Sequence, residues 1–149
     1  MTKCCCGENE RFHLLETAQQ LQFSDIVDVN AGWNHVILTR KSTTGSISLF
    51  GFGRNDFGQL GIQPFNRTIS TPVHIPIDSE GANVAVSCGS EHTLFLANQK
   101  AFVCGWNEHG NCAISSTEKG ANRFCEMRPI LDQCLLIEGG CGTSFFLLQ

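Results

Sequence analysis

His35 and His92 are the residues of this chain best suited to acid–base work: imidazole titrates near neutral pH, and each stands three positions after a glycine, Gly32 and Gly89. A third stretch, Gly142-Thr143-Ser144-Phe145, places phenylalanine in that slot. A slot that phenylalanine fills is a packing slot, so both histidines read as interior rings with one ring hydrogen bond at most. The nine cysteines raise zinc as the other chemistry. Structural zinc draws its ligands from closely spaced pairs. Here Cys4-Cys5-Cys6 is a bare triplet, Cys88, Cys104, Cys112, Cys125, Cys134 and Cys141 are scattered, and no C-x-x-C occurs. Cys6, Cys88 and Cys141 each precede a glycine, as Ala31 does, and a position that alternates Cys with Ala wants a small buried side chain. Neither metal nor cofactor is expected.

Other catalytic patterns fail on residue identity. Gly51-Phe52-Gly53 begins like a dinucleotide loop, but Asp56 stands where the third glycine belongs and no βαβ pattern surrounds it. Neither a G-x-S-x-G elbow nor a Walker loop is present. Asp25 with Asp28, and Glu8 with Glu10, are carboxylates close in sequence, with nothing to bury or pair them. No catalytic residue is assigned, and the chain reads as a non-enzyme.

The elements that carry these residues are repeated. Gly53-Arg54-Asn55-Asp56-Phe57-Gly58, followed by Gln59-Leu60-Gly61, recurs after 52 positions as Gly105-Trp106-Asn107-Glu108-His109-Gly110. An apolar run, a small residue, a glycine and a second apolar run occur around Gly32, Gly89 and Gly142, with a weaker copy at Cys6-Gly7. Val27, Val29 and Ala31 alternate with Asp28 and Asn30, the period of a half-buried strand, and residues 46–50 supply a third strand. The glycines Gly53, Gly58, Gly61, Gly105 and Gly110 read as turn residues, with Asn55 and Asn107 bonding their own loop. The segment 63–76, with three prolines, suits an edge strand or loop, and Ser115 to Arg128 reads as an exposed polar connector. A period of about fifty residues made of short strands is that of propeller blades.

The fold class expected is therefore all-β, a partial β-propeller of about two to three four-stranded blades. Residues 1–24 form a degenerate partial blade, with a helical turn or two at 14–21, and residues 25–149 form the repeat blades, with boundaries near 83 and 136. Propellers close with four to eight blades, so the 149 residues make an incomplete ring: part of a longer propeller, a truncated product, or an open fragment that needs a partner along its edges. Hydrophobic content of 42% with 16% charged residues is ordinary for a globular domain. A net charge of −4 without a dense basic cluster argues against direct nucleic-acid binding. No apolar stretch is long enough to cross a bilayer, and the N-terminus has no signal-like apolar core, so no membrane partner is expected. The location expected is the cytoplasm, with the nucleus as a second compartment.

A small residue, Gly, two positions and His, then aromatic-Gly-x-Asn-x-x-Gly-Gln-Leu-Gly, as in Gly32, His35 and Phe52 to Gly61, resembles the regulator-of-chromosome-condensation (RCC) repeat. The second copy keeps Gly89, His92, Gly105, Asn107 and Gly110 but departs at Asn111-Cys112-Ala113. Within that family, Cys104 to Cys112 and the terminal Gly139 to Leu148 resemble the last blade of the fungal alpha-tubulin-suppressor group of propellers. That resemblance implies an accessory role in Elongator-dependent modification of tRNA wobble uridines and in diphthamide synthesis, with the small zinc protein of that pathway as partner and Elongator as a further one. The founding member of the repeat family implies the alternative, guanine-nucleotide exchange on a small GTPase. A third alternative is a propeller fragment without independent activity. In each case the binding residues expected are those in loops at the blade ends: Trp33, Asn34, Trp106, Glu108 and His109.

Overall fold

The structure is a computed structural model that describes residues 24–65, 68–77, 83–113 and 124–149, with side chains in the last stretch described from 127 onward. It is all-β and forms an open part of a β-propeller. The first sheet runs β1 (Ile26–Ala31), β2 (His35–Lys41), β3 (Ile47–Arg54), β4 (Thr68–Ile75) in sequential order, and the second runs β5 (Val84–Cys88), β6 (His92–Ala97), β7 (Lys100–Trp106), β8 (Phe124–Leu131) likewise. The third holds β9 (Cys134–Gly139) paired with β10 (Ser144–Leu148). All pairings are antiparallel, so each sheet is a meander that returns its odd-to-even turns to one end.

The innermost strands β1, β5 and β9 lie side by side. They are joined by a line of main-chain bonds at their tips: Trp33 N–H donates to Ser90 O at 2.9 Å, and Ser90 N–H to Cys141 O at 3.3 Å. Between sheets the strand faces interlock. Ile37, Leu49, Leu60 and Ile75 of the first pack on Val86, Phe95 and Cys104 of the second. Leu94, Ala101, Val103 and Cys112 of the second pack on Cys134 and Ile137 of the third. The core is thus a pair of seams between blades, and each blade depends on its neighbour for burial.

The same main-chain bond marks the repeat in all three blades and moves its third copy by two residues. Gly32 N–H donates to His35 O, Gly89 N–H to His92 O and Gly140 N–H to Thr143 O, each at 2.9 Å. The turn glycine of the third blade is therefore Gly140, not Gly142, and the histidine slot holds Thr143, not Phe145. The small-residue slot then contains Ala31, Cys88 and Gly139, and Cys141 lies outside it. Sequence alone allowed either glycine because Gly139-Gly140-Cys141-Gly142 offers several; the hydrogen bond selects one.

Two further differences concern strand extent. β3 continues through Gly51-Phe52-Gly53 to Arg54, so the Gly-x-Asn loop opens at the strand's last residues. Part of the stretch 115–128 is strand, since β8 starts at Phe124 and satisfies the outer edge of β7. The expected partial blade, helical turn and small-residue slot within residues 1–23 lie outside the described residues.

Candidate functional site

The loop between β3 and β4 is held by a buried asparagine. Asn55 Oδ1 accepts from Leu60 N–H at 3.0 Å and its Nδ2 donates to Ile62 O at 3.0 Å, which closes the turn on itself. Asn107 repeats the first bond, accepting from Cys112 N–H at 2.8 Å. The glycine before each asparagine sits at φ 106° (Gly53) or 111° (Gly105), and a Cβ there would lie 2.4 Å from Asn34 O or 2.6 Å from Glu91 O. Only glycine fits where the outer strand crosses the inner turn so closely.

These loops and the turns at 32–34, 89–91 and 140–143 share one end of the blades. Trp33 is 70% exposed there. Asn34, beside it in sequence, is buried: its Nδ2 donates to Glu91 Oε1 at 3.3 Å. Trp106 is half-buried, with its main-chain N–H on Glu91 O at 2.8 Å and its ring edge-on to His109 at 4.9 Å. Glu108 and His109 are exposed beside it. Four of the five residues expected from sequence thus reach the surface at this end, and Asn34 lies inside it.

The residue that sequence reasoning passed over is Glu91, only 8% exposed at the first seam. Its carboxylate accepts from Arg54 Nη1 at 2.9 Å, from Gln59 Nε2 at 2.8 Å and from Asn34 Nδ2. Arg54 also donates to both oxygens of Asp56, at 2.5 and 2.9 Å, and its guanidinium carbon lies 4.5 Å from the centre of the Phe57 ring. Burial opposes the charge on Arg54, but the hydrogen bond to Asp56 and the fields of Glu91 and Asp56 outweigh it and raise its pKa. The one available signal was a charged residue within the inner turn, between Gly89 and His92. Among the described residues at this end, Asp56, Glu91 and Glu108 stand against Arg54, and Asp56 and Glu91 are paired with it.

Both histidines are consumed in holding the seams. Thr93 Oγ1 donates to Gln59 O at 2.7 Å, so it accepts from His35 Nε2–H at 2.8 Å. The second seam repeats the relay: Ser144 Oγ donates to Asn111 O at 2.5 Å and accepts from His92 Nε2–H at 3.1 Å. Nδ1 of each ring is buried with no partner, and an added proton there would find no acceptor. Burial, then the nearby His92, push His35 down to about 3. Burial also lowers His92, against a contact with the Thr143 main chain. These rings are neutral struts, and the chemistry this end offers is recognition by a large exposed aromatic.

Comparison with known proteins agrees with this architecture. The model "Regulator of chromosome condensation (RCC1) repeat" matches residues 48–96, and a second RCC1 repeat model matches residues 84–111. The mouse secretion-regulating guanine nucleotide exchange factor is 30% identical over 154 residues, covering 89% of this chain and 31% of that protein. The Arabidopsis thaliana ultraviolet-B receptor UVR8 is 27% identical over 136 residues, covering 91% of this chain and 29% of that one. In fold, the chain superposes on Prp20p of Saccharomyces cerevisiae with a TM-score of 0.73 at 16% identity, covering 97% of this chain and 36% of Prp20p. The chain spans about a third of the length of these proteins. The matched stretches contain both Gly-x-Asn loops together with Gly89 and His92, and the chain carries RCC1 repeats like those of these propellers.

Proposed function

We propose that the loop end of these blades is a protein-docking face, and that its partner is a small GTPase whose guanine-nucleotide exchange the propeller promotes. The observation that carries the docking reading is Trp33, 70% exposed at the innermost turn, where its main-chain N–H is held by Ser90 O and its ring is left to solvent. The exchange reading is supported by the function named for the mouse relative. The test is release of a fluorescent guanine nucleotide from a panel of preloaded small GTPases. Acceleration by the chain, lost in Trp33→Ala, is expected; no binding and no acceleration across the panel overturns it.

The Elongator and diphthamide reading rests on resemblance in the second and third blades alone, and none of the relatives described above supports it. Co-migration of the chain with the zinc protein of diphthamide synthesis is its test.

A further inference from the structure

The second seam repeats the first position by position, and the residues that differ are those that hold a charge in the first. Counted from the turn glycines Gly89 and Gly140, Gly142 stands in the third blade where Glu91 stands in the second. Counted from the loop glycines Gly53 and Gly105, Trp106 takes the place of Arg54, Glu108 of Asp56, His109 of Phe57 and Asn111 of Gln59. The first seam uses this set to grip a cation: Arg54 is paired with Asp56 and Glu91 and lies over the Phe57 ring, while Gln59 closes the cluster on Glu91. The second seam has tryptophan in place of that arginine and glycine in place of the buried carboxylate.

A cleft of about 280 Å³ lies there, lined by His109, Asn111, Gly142, Thr143, Ser144 and Phe146. It belongs to the seam between the second and third blades, because residues of β10 that line it face the second blade: Ser144 Oγ donates to Asn111 O, and Phe146 packs on the cluster that holds Leu94 and Cys112. A Cβ added at Gly142 would meet nothing within 4 Å. The place that Glu91 fills at the first seam is therefore open at the second.

The cleft carries an acceptor without a donor. Asn111 is 5% exposed, and its Nδ2 donates to Trp106 O; since a carbonyl can only accept, the other end of the amide is the oxygen. That Oδ1 is buried with no partner. Gln59, one methylene longer, uses both ends, with Nε2 on Glu91 and Oε1 accepting from Phe57 N–H at 3.1 Å. A buried amide oxygen left unpaired is costly, and a ligand that brings an N–H to it removes that cost. Glu108, next to His109 in the same loop, is exposed, and among the described residues no basic group pairs with it. Both groups accept hydrogen bonds, and one is an acid in the place where Asp56 holds Arg54.

We propose that this cleft receives an arginine side chain of a docked protein, whose guanidinium donates to Asn111 Oδ1 and pairs with Glu108 at the rim. Guanidinium suits the place better than ammonium does. Its planar fork of N–H groups reaches two acceptors at different depths, and its flat face lies on an aromatic ring, here Phe146, as Arg54 lies on Phe57. The second seam is thus the cation site of the first with the cation left to the partner. The inference rests on the docking reading only in that the arginine comes from a protein; the choice of a GTPase does not enter.

The experiment is an NMR titration of the isotope-labelled 149-residue chain with N-acetyl-arginine methylamide, followed at the main-chain amides of His109, Asn111 and Gly142 and at the Asn111 side-chain amide. A saturable shift centred on these residues is expected at millimolar probe, the strength that one side chain supplies. The citrulline counterpart, alike in shape but uncharged, and the lysine counterpart should each bind about fivefold more weakly or less. Gly142→Leu, whose side chain enters open space, should abolish the shift with strand content by circular dichroism unchanged. Glu108→Gln, at an exposed position, should weaken binding about threefold. No saturable shift, citrulline or lysine binding as well as arginine, or an undiminished response in either variant overturns the proposal. The probe contains no GTPase, so this result and that of the nucleotide-release assay can fail separately.

Discussion

The imidazole of His35 reaches out of its own sheet and donates to Thr93 in the next, 2.8 Å away, while the Thr93 hydroxyl donates in turn to the Gln59 carbonyl in the loop between β3 and β4. One ring therefore binds two blades through a hydroxyl that both share. His92 and Ser144 repeat the arrangement one blade later.

Because both rings are buried neutral with lowered pKa, the unfolded chain binds more protons than the folded one at mildly acidic pH. Stability should be complete above the unfolded histidine value of 6.5 and fall as pH drops below it, for His35 until about 3. By pH 4.5 the neutral His35 ring costs on the order of 2–3 kcal/mol, and His92 adds a loss in the same direction. Denaturation at pH 7.5 and 4.5 checks this: the loss shrinks in His35→Gln, and an equal loss in native and variant chains contradicts it.

Glu91→Ala removes the acceptor of three buried donors. Arg54 keeps Asp56, so a destabilisation of about 2–4 kcal/mol is expected, and about half that for Glu91→Gln, which retains one oxygen. Urea unfolding of both variants measures it; a change below about 0.5 kcal/mol in Glu91→Ala would show that the cluster holds no seam.

Ala113 sits at φ 55°, in the place where the first loop has Gly61 at φ 66°. An L-residue is strained there, so Ala113→Gly should stabilise by about 0.5–1 kcal/mol, against the usual direction of an Ala→Gly change. Gly61→Ala should destabilise, since its Cβ also runs into the Met127 side chain. Thermal melts of the two single variants test the opposite signs.

Burial pushes the Cys88 thiol up to about 12, leaving almost no thiolate at pH 8. Cys141, in the next turn along the same line of inner tips, is exposed. Alkylation followed by peptide mass spectrometry should label Cys141 well before Cys88. Comparable rates at the two thiols would contradict the packing of Cys88 between β5 and its neighbours.

Trp33→Ala should leave stability within about 0.5 kcal/mol of the native chain, because the ring is largely in water. Any loss of partner binding in that variant then reports on docking and not on folding. A stability loss above about 2 kcal/mol would make Trp33 a structural residue instead.

Much of this was legible in the residues. The 52-residue recurrence of Gly-x-Asn, the alternation along Val27 to Ala31 and the proline-bearing fourth strand all follow from local backbone preferences, which act over a few residues and so leave a mark in sequence. The position of Asn34 was not legible. Nothing around it distinguishes a loop amide in water from one aimed at a carboxylate 57 residues away. The third repeat was placed two residues late for a related reason: three glycines in four positions satisfy the local pattern equally, and only the bond from Gly140 to Thr143 discriminates among them.

The sequence by itself determined that this chain is a run of glycine-punctuated strands repeating as propeller blades, because turn chemistry and strand alternation are properties of adjacent residues. The tertiary structure decided what lies between the blades. It brought Glu91 to Arg54, His35 to Thr93 and Trp33 to the open end, since seams join residues about one repeat apart and their partners are selected by packing geometry, which no local pattern records.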